Sequence, residues 1–170
     1  MMVRIFASIL VIAGCAGVGF SMCHQFMKEE RELESLIRCL EWMILELNYR
    51  MPPLGELCME ASKQVGGNVH IVLRRFAEAL EEQVTSDISL SMDRAMASVN
   101  DIPETLGIRL KDFGASAGQF DVAGQVVALE SVLERCKQDH ELLCSRKEHC
   151  LRNYKTFGIC SGIALVIILL

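Results

Sequence analysis

Apolar residues recur every three or four positions through most of the central chain, a spacing typical of amphipathic helices that bury one face. The clearest stripe lies in residues 28–49, where charged residues occupy the other faces. That stripe consists of Leu33, Leu36, Ile37, Leu40, Ile44 and Leu47. The strict alternation of apolar and polar residues that marks half-buried strands is absent. The sequence therefore predicts an all-α fold.

Helix breakers divide this pattern into about five or six helices, which we expect to form a bundle. Pro52-Pro53 should end the first helix because proline lacks an amide donor, and Gly66-Gly67 should end the second. Asn68 is a candidate cap for the third helix. The helices predicted after 28–49 cover residues 54–65, 68–84, 87–99, 103–113 and a long final segment from 121 onwards.

Both ends of the chain are apolar enough to enter a bilayer. Residues 3–22 carry one charge, Arg4, and as a helix they are long enough to cross a hydrocarbon core of about 30 Å. Residues 157–170 carry no ionisable side chain, but as a helix they reach only about 21 Å. We predict transmembrane helices at 3–22 and 157–170 and a soluble bundle at 26–152. The glycines expected to pack these spans closely are Gly17, Gly158 and Gly162.

The first apolar segment has a second interpretation. Its residues Ile12-Ala13-Gly14-Cys15 fit the pattern that precedes a lipidated cysteine in bacterial lipoproteins. The chain stays apolar beyond Cys15, which favours a spanning helix over lipidation or over a cleaved signal peptide. Lipidation of Cys15 is left open by the sequence.

Basic residues indicate how the chain is oriented. They are concentrated on the central side of both predicted spans, and Arg4 is the one basic side chain on the other side. The positive-inside rule therefore predicts that the bundle lies in the cytoplasm. The basic residues concerned are Lys28, Arg31, Arg38, Arg146, Lys147, Arg152 and Lys155.

The charge composition argues against several classes of function. The net charge is -5 with both signs mixed along the chain, so the sequence offers no extended basic surface for nucleic acid. It contains no phosphate-binding loop, nucleophile elbow or paired catalytic carboxylates. We expect a protein that is not an enzyme and that needs neither a cofactor nor a small-molecule substrate.

The eight cysteines follow no regular framework, and they suit a reducing compartment. Cys136, His140 and Cys144 follow one another at four-residue spacing, which raises the question of a metal site. Three such residues on one helix span about 12 Å, too far for one ion, although two neighbours are close enough to share one. Cys136 and His140 also fall on an apolar heptad seam, so core packing is the simpler interpretation and no metal is expected.

A glycine-rich corner precedes the final helix. Gly114 and Gly118 are four residues apart, so on a helix they leave one face without bulk and allow another helix to come close. Asp121 suits a helix start, and Gln125 follows in the first turn. The corner is either purely architectural or a docking point for a partner.

The stretch from Phe113 to Gln125, with its order of phenylalanine, two glycines, aspartate and glutamine before a long final helix, resembles the stage III sporulation protein AB family. The apolar amino-terminal segment, the glutamate-rich first helix with Glu46 and the Pro53-Leu54 stop are also similar to that family. The resemblance covers nearly the whole chain.

The resemblance implies a bundle similar to the cytoplasmic domains of the F component, the platform protein of type II secretion. It also implies membership of a secretion-related channel complex between mother cell and forespore. Its expected place is the mother-cell membrane around the forespore, where it would bind an AA-type ATPase and other membrane components of that complex. The alternative is a membrane-tethered adaptor or regulatory protein without a motor partner.

Acidic clusters on two predicted helices are candidate surfaces for that ATPase. Such clusters are most often solvated helix faces, but like-signed carboxylates also suit basic residues on a partner. The candidate partner-binding residues are Glu30, Glu34, Glu81 and Glu82.

Overall fold

The structure is a computed structural model that describes residues 2–82, 87–117 and 124–146, with side chains described from residue 26. The chain divides into two compact units. One comprises Met1–Lys28 together with Leu142–Leu170, and the other is Glu29–Glu141. The second unit holds most of the described residues and all the packing discussed below.

Six helices account for nearly all of the described residues, and no strand occurs among them, so the all-α prediction is confirmed for this part of the chain. Their order along the chain agrees with the sequence pattern. They are α1 (Met2–Tyr49), α2 (Leu54–Gln64), α3 (Gly67–Glu81), α4 (Ile88–Ala97), α5 (Glu104–Ala117) and α6 (124–146).

Local chemistry explains where these helices end. After α1, Met51 adopts a positive φ of 48° and the Pro52-Pro53 pair follows. At the first residue of α3, Gly67 has a φ of 68°, a conformation that glycine adopts without steric cost. At the start of α4, the Asp87 carboxylate accepts a hydrogen bond from the Ser89 backbone N–H at 2.9 Å, which is an N-cap.

The core of the second unit lies where the helices face one another. In sequence order α2 packs on α3, α3 on α4 and α4 on α5. Phe76 of α3 and Phe113 of α5 meet edge to face, with ring centroids 6.0 Å apart, and both are fully buried. The other fully or nearly fully buried large side chains include Leu33, Leu36, Leu40, Met43, Leu47, Leu57, Leu73, Met92, Leu106 and Leu110.

The two predicted membrane spans are not confirmed. Among the residues whose placement and side chains the structure describes, no helix is long and apolar enough to cross a membrane. The side chains of residues 1–25 and all residues from 147 onwards lie outside that description. The backbone of α1 runs without interruption from Met2 to Tyr49. The spans at 3–22 and 157–170 stay predictions, as does the 26–152 boundary.

Candidate functional site

The glycine corner contains a close approach of α5 to α4. A Cβ atom on Gly114 would lie 2.6 Å from the Cβ atom of Met92, far inside ordinary van der Waals contact. Gly114 is therefore the residue that allows the two helices to pack at this distance. Met92 itself is buried, so the contact belongs to the core and not to an exposed surface.

On the other side of the corner, α6 contacts the last residue of α5. The Gln125 side-chain amide donates a hydrogen bond to the Ala117 carbonyl oxygen at 3.4 Å. Carbonyls at the end of a helix lack partners within the helix, so this bond satisfies one of them. Gly118 and Asp121 lie outside the described residues. Of the four corner residues, Gly114 and Gln125 are thus placed, and both make architectural contacts.

A charged network joins α5 to α6. Arg109 on α5 donates from Nε to the Asp139 carboxylate at 2.6 Å, and from Nη1 to the Asp112 carboxylate at 2.7 Å. Arg135 on α6 also reaches the Asp112 carboxylate, at 3.5 Å. The side chains of Arg109 and Asp139 are only 19% exposed, so this pair is screened less than a surface pair. The hydrogen bond to Asp139, followed by the one to Asp112, raises the pKa of Arg109 above its usual value, so Arg109 stays charged.

Within the cysteine and histidine row, Cys136 does not share a candidate metal site with His140. Cys136 is fully buried, and this burial is the main cause that raises the pKa of its thiol to about 12. His140 is half-buried, with a ring nitrogen within 4.8 Å of a Glu30 carboxylate oxygen. Cys144 belongs to the other compact unit. Cys136 packs in the core as the heptad seam predicts, and its protonated thiol is a poor metal ligand or nucleophile.

The buried thiols of α1 and α2 are equally unsuited to catalysis. Cys39 and Cys58 are fully buried. Burial raises the pKa of the Cys39 thiol to about 12 and the pKa of the Cys58 thiol well above its usual value. These cysteines therefore act as small core residues among the described part of the chain.

Glu32, which the sequence pattern did not single out, makes the most specific polar contact between distant helices. Its two carboxylate oxygens accept hydrogen bonds from the Asn68 backbone N–H at 3.0 and 2.9 Å. The Val69 N–H lies 3.4 Å from one of them. A carboxylate is favoured there by the unpaired N–H groups and by the dipole of α3. Glu32 on α1 therefore caps the start of α3.

The prediction that Asn68 caps α3 is wrong. The N-cap residue is Gly66, and no side chain at that position accepts a capping bond. The Asn68 side chain instead donates to the Asp101 carbonyl oxygen at 3.2 Å. A side chain on Gly67 would collide with the Glu32 carboxylate, because its Cβ would lie 2.5 Å from Oε1. The second glycine thus gives the carboxylate room as well as ending a turn.

The four candidate partner-binding glutamates do not form one surface. Glu30 is half-buried, whereas Glu34 is exposed and pairs with Arg38 at 3.4 Å. Glu34 is two residues beyond Glu32 on α1, so it lies at the level of the start of α3 but on the opposite side of α1, whereas Glu81 and Glu82 are exposed at the end of α3. A helix of 15 residues separates these ends by about 20 Å. Any binding through these residues involves two separate acidic areas.

The structure does not describe the surroundings of the three candidate membrane-packing glycines. Gly17 lies within α1, in the segment whose side chains are not described, and Gly158 and Gly162 lie outside the described residues. Their role in helix contacts stays a prediction.

The fold and these sites define a bundle of α-helices whose polar side chains hold helices together, without a catalytic constellation among the described residues. Comparisons with known proteins identify the bundle further. The family model described as stage III sporulation protein AB matches residues 4–170. The chain therefore belongs to the stage III sporulation protein AB family, which confirms the resemblance carried by residues 113–125.

One solved structure has a similar fold. The structure, titled stage III sporulation protein AB (SpoIIIAB), matches with a TM-score of 0.61 at 18% sequence identity. The match covers 72% of this chain and 98% of the other. At this identity the match supports the fold alone. No curated protein matches the chain.

Proposed function

We propose that this protein is a platform-like membrane component of a secretion-related channel complex between mother cell and forespore. Its helical bundle binds an AA-type ATPase on the cytoplasmic side and passes the movement of that ATPase to the membrane. The proposal places the protein in the mother-cell membrane around the forespore. It takes membership of the sporulation family as its starting point.

The observation that carries the proposal is the Arg109 network. It joins α6 to α5 through the short, half-buried Arg109–Asp139 ion pair and the longer Arg135–Asp112 pair, so a displacement of the bundle is carried into α6 and not absorbed between the helices. In the sequence, α6 leads to the predicted span at 157–170. A helix attached firmly at the bundle and seated in lipid would act as a lever.

The acidic areas supply candidate contacts for the ATPase. Glu34 lies in one of them, and Glu81 and Glu82 lie in the other. Exposed carboxylates at the rim of an interface mainly steer association with a basic partner. Glu30 is less suited to this role because it is half-buried.

A binding measurement tests the proposal. The full-length protein is purified in detergent and its affinity for the sporulation ATPase is measured by biolayer interferometry. We expect binding that weakens when Glu34 or the pair Glu81 and Glu82 is replaced by arginine. Glu130→Arg is the matched control, because Glu130 is an exposed glutamate on a different helix, α6.

Each outcome of this experiment is informative. If the ATPase does not bind, the motor coupling is refuted, and the adaptor or regulatory alternative is favoured. If it binds but both charge reversals behave like Glu130→Arg, the ATPase uses a different surface of the bundle. If Glu130→Arg also abolishes binding, the loss reflects the net charge of the protein and not a contact made by either acidic area.

Orientation needs a separate test. Cys39, Cys58 and Cys136 are poor reporters because all three are fully buried. A cysteine introduced at Val127, which is exposed on α6, should react with a membrane-impermeant maleimide only after cells are opened. Additional labelling of intact cells, relative to the parent protein, would contradict a cytoplasmic bundle.

A further inference from the structure

One end of the bundle, where α1 stops, exposes three large apolar side chains. Leu45, Tyr49 and Met51 are 58%, 86% and 63% exposed. Leu45 and Tyr49 are four residues apart on α1 and so share a face, and Met51 follows directly after the helix. Single exposed apolar residues are common, but three within residues 45–51 form a local cluster, which we call the apolar patch.

Acidic side chains lie at the end of the bundle where α2 begins, a few residues after the apolar patch. Glu56 is exposed in the first turn of α2, a few residues after Met51. A Cβ on Gly55 would lie 3.6 Å from Cγ of Glu81, which places the start of α2 against the end of α3. Glu56, Glu81 and Glu82 therefore border the same end of the bundle, and we call these three residues the acidic rim.

The acidic rim is not neutralised by the nearest basic residue. Arg50 already lies 3.6 Å from Glu46 and 3.8 Å from Glu60. No ion pair within the described residues involves the carboxylates of the acidic rim. This end of the bundle thus combines exposed apolar area with uncompensated negative charge.

We propose that the apolar patch and the acidic rim together bind an amphipathic, basic segment of a partner protein. This deepens the proposed function, on which it rests, by naming the surface and the chemistry of its partner. A partner segment with apolar side chains would cover Leu45, Tyr49 and Met51, while its lysines or arginines meet the acidic rim. Tyr49 is the expected anchor because large aromatic side chains dominate the energy of many interfaces.

Charge decides between this partner and two other occupants. A second copy of the chain packed symmetrically on this surface would bring two acidic rims together, which is repulsive. Anionic lipid headgroups would repel the acidic rim in the same way. A basic protein segment is the occupant that satisfies both parts of the surface.

Photo-crosslinking of the full-length protein in sporulating cells tests this proposal. A photo-reactive phenylalanine replaces Tyr49, or replaces Val127 as an exposed control on α6. We expect position 49, and not position 127, to crosslink to a segment of another protein that has a net positive charge, identified by mass spectrometry. Replacing Glu81 and Glu82 together by lysine should lower the yield about tenfold, because two attractive ion pairs become repulsive.

The following results would overturn the proposal: crosslinking to an acidic or neutral segment, to another copy of this chain or to lipid, equal yields from both positions, or a yield that the lysine substitutions do not change. An unchanged urea midpoint for the substituted proteins shows that they fold, as expected for exposed positions.

The two proposals fail separately. If position 49 crosslinks to a basic segment of a protein other than the ATPase, the surface is correct and the motor partner is wrong. If the purified ATPase binds the full chain and Tyr49→Ala leaves its affinity unchanged, the motor partner stands and the surface is refuted. The expected loss for Tyr49→Ala is about tenfold in affinity.

Discussion

Removing the Glu32 carboxylate should destabilise the bundle although Glu32 lies on a different helix from the groups it binds. Glu32→Ala leaves the Asn68 and Val69 N–H groups at the start of α3 without their acceptor. A hydrogen bond to a charged group contributes about 1.5–3 kcal/mol, and the charge at a helix start adds up to about 1 kcal/mol. We expect a loss of about 2–4 kcal/mol in the free energy of unfolding.

The measurement is urea denaturation of the full chain in mild detergent, followed by the fluorescence of Trp42, the single tryptophan. With a urea dependence of about 1–3 kcal/mol per molar, the midpoint should fall by about 1 M or more. Glu32→Gln keeps one acceptor oxygen and should cost about 1 kcal/mol. The control is Glu34→Ala, which removes an exposed pair worth less than about 0.5 kcal/mol.

Equal midpoints for Glu32→Ala and Glu34→Ala would refute the reasoning. In that case water, and not the carboxylate, would satisfy the start of α3. A Glu32→Gln protein as unstable as Glu32→Ala would show that the negative charge matters more than the acceptor atom.

Three further predictions concern α5 and its neighbours. Arg109→Ala should cost about 2 kcal/mol because it leaves the Asp139 carboxylate without its partner and leaves Asp112 with only the longer Arg135 contact, whereas Lys111→Ala, on the surface, should cost less than about 0.5 kcal/mol by urea denaturation. Gly114→Ala should destabilise by about 1–3 kcal/mol through its clash with the α4 methionine, whereas Gly107→Ala meets only ordinary contacts and should be neutral or stabilising. The Cys136 thiol stays protonated in the folded state up to about pH 12 but ionises near pH 9.0 when unfolded, so its contribution to stability should fall as pH rises from 9 towards 12. Urea midpoints of the parent and Cys136→Ala proteins across that range measure this, and parallel curves would contradict it.

The helices were predictable because their signals are local. Apolar spacing, Pro52-Pro53 and Gly66-Gly67 are read within a few residues, and the structure places α2 and α3 accordingly. The close approach at Gly114 also follows from a local signal, since a glycine pair at four-residue spacing removes bulk from one helix face.

The polar contacts between helices were not predictable in this way. Glu32 and Asn68 are 36 positions apart, and Arg109 and Asp139 are 30 apart, so no periodicity links them. The sequence made Asn68 the natural cap by its residue type. The fold instead supplies a carboxylate from α1, which provides a full charge at the start of α3.

The acidic surfaces were predictable only in part. Residue type indicates that Glu34, Glu81 and Glu82 are exposed, and the structure places all three on the surface. Their separation into two areas depends on the direction of α3, and their proximity to the apolar patch depends on the packing of α2 against α3. Neither is visible in the spacing of charges along the chain.

In the proposed mechanism, movement of the bundle reaches the membrane along the final helix. A short flexible Gly-Ser insertion after Arg152 keeps the bundle and the predicted span intact but breaks their mechanical link. Spore formation in cells that carry this variant is the direct measurement, together with a pull-down of the ATPase. We predict loss of spores while the ATPase still binds, and normal spore formation would contradict the claim.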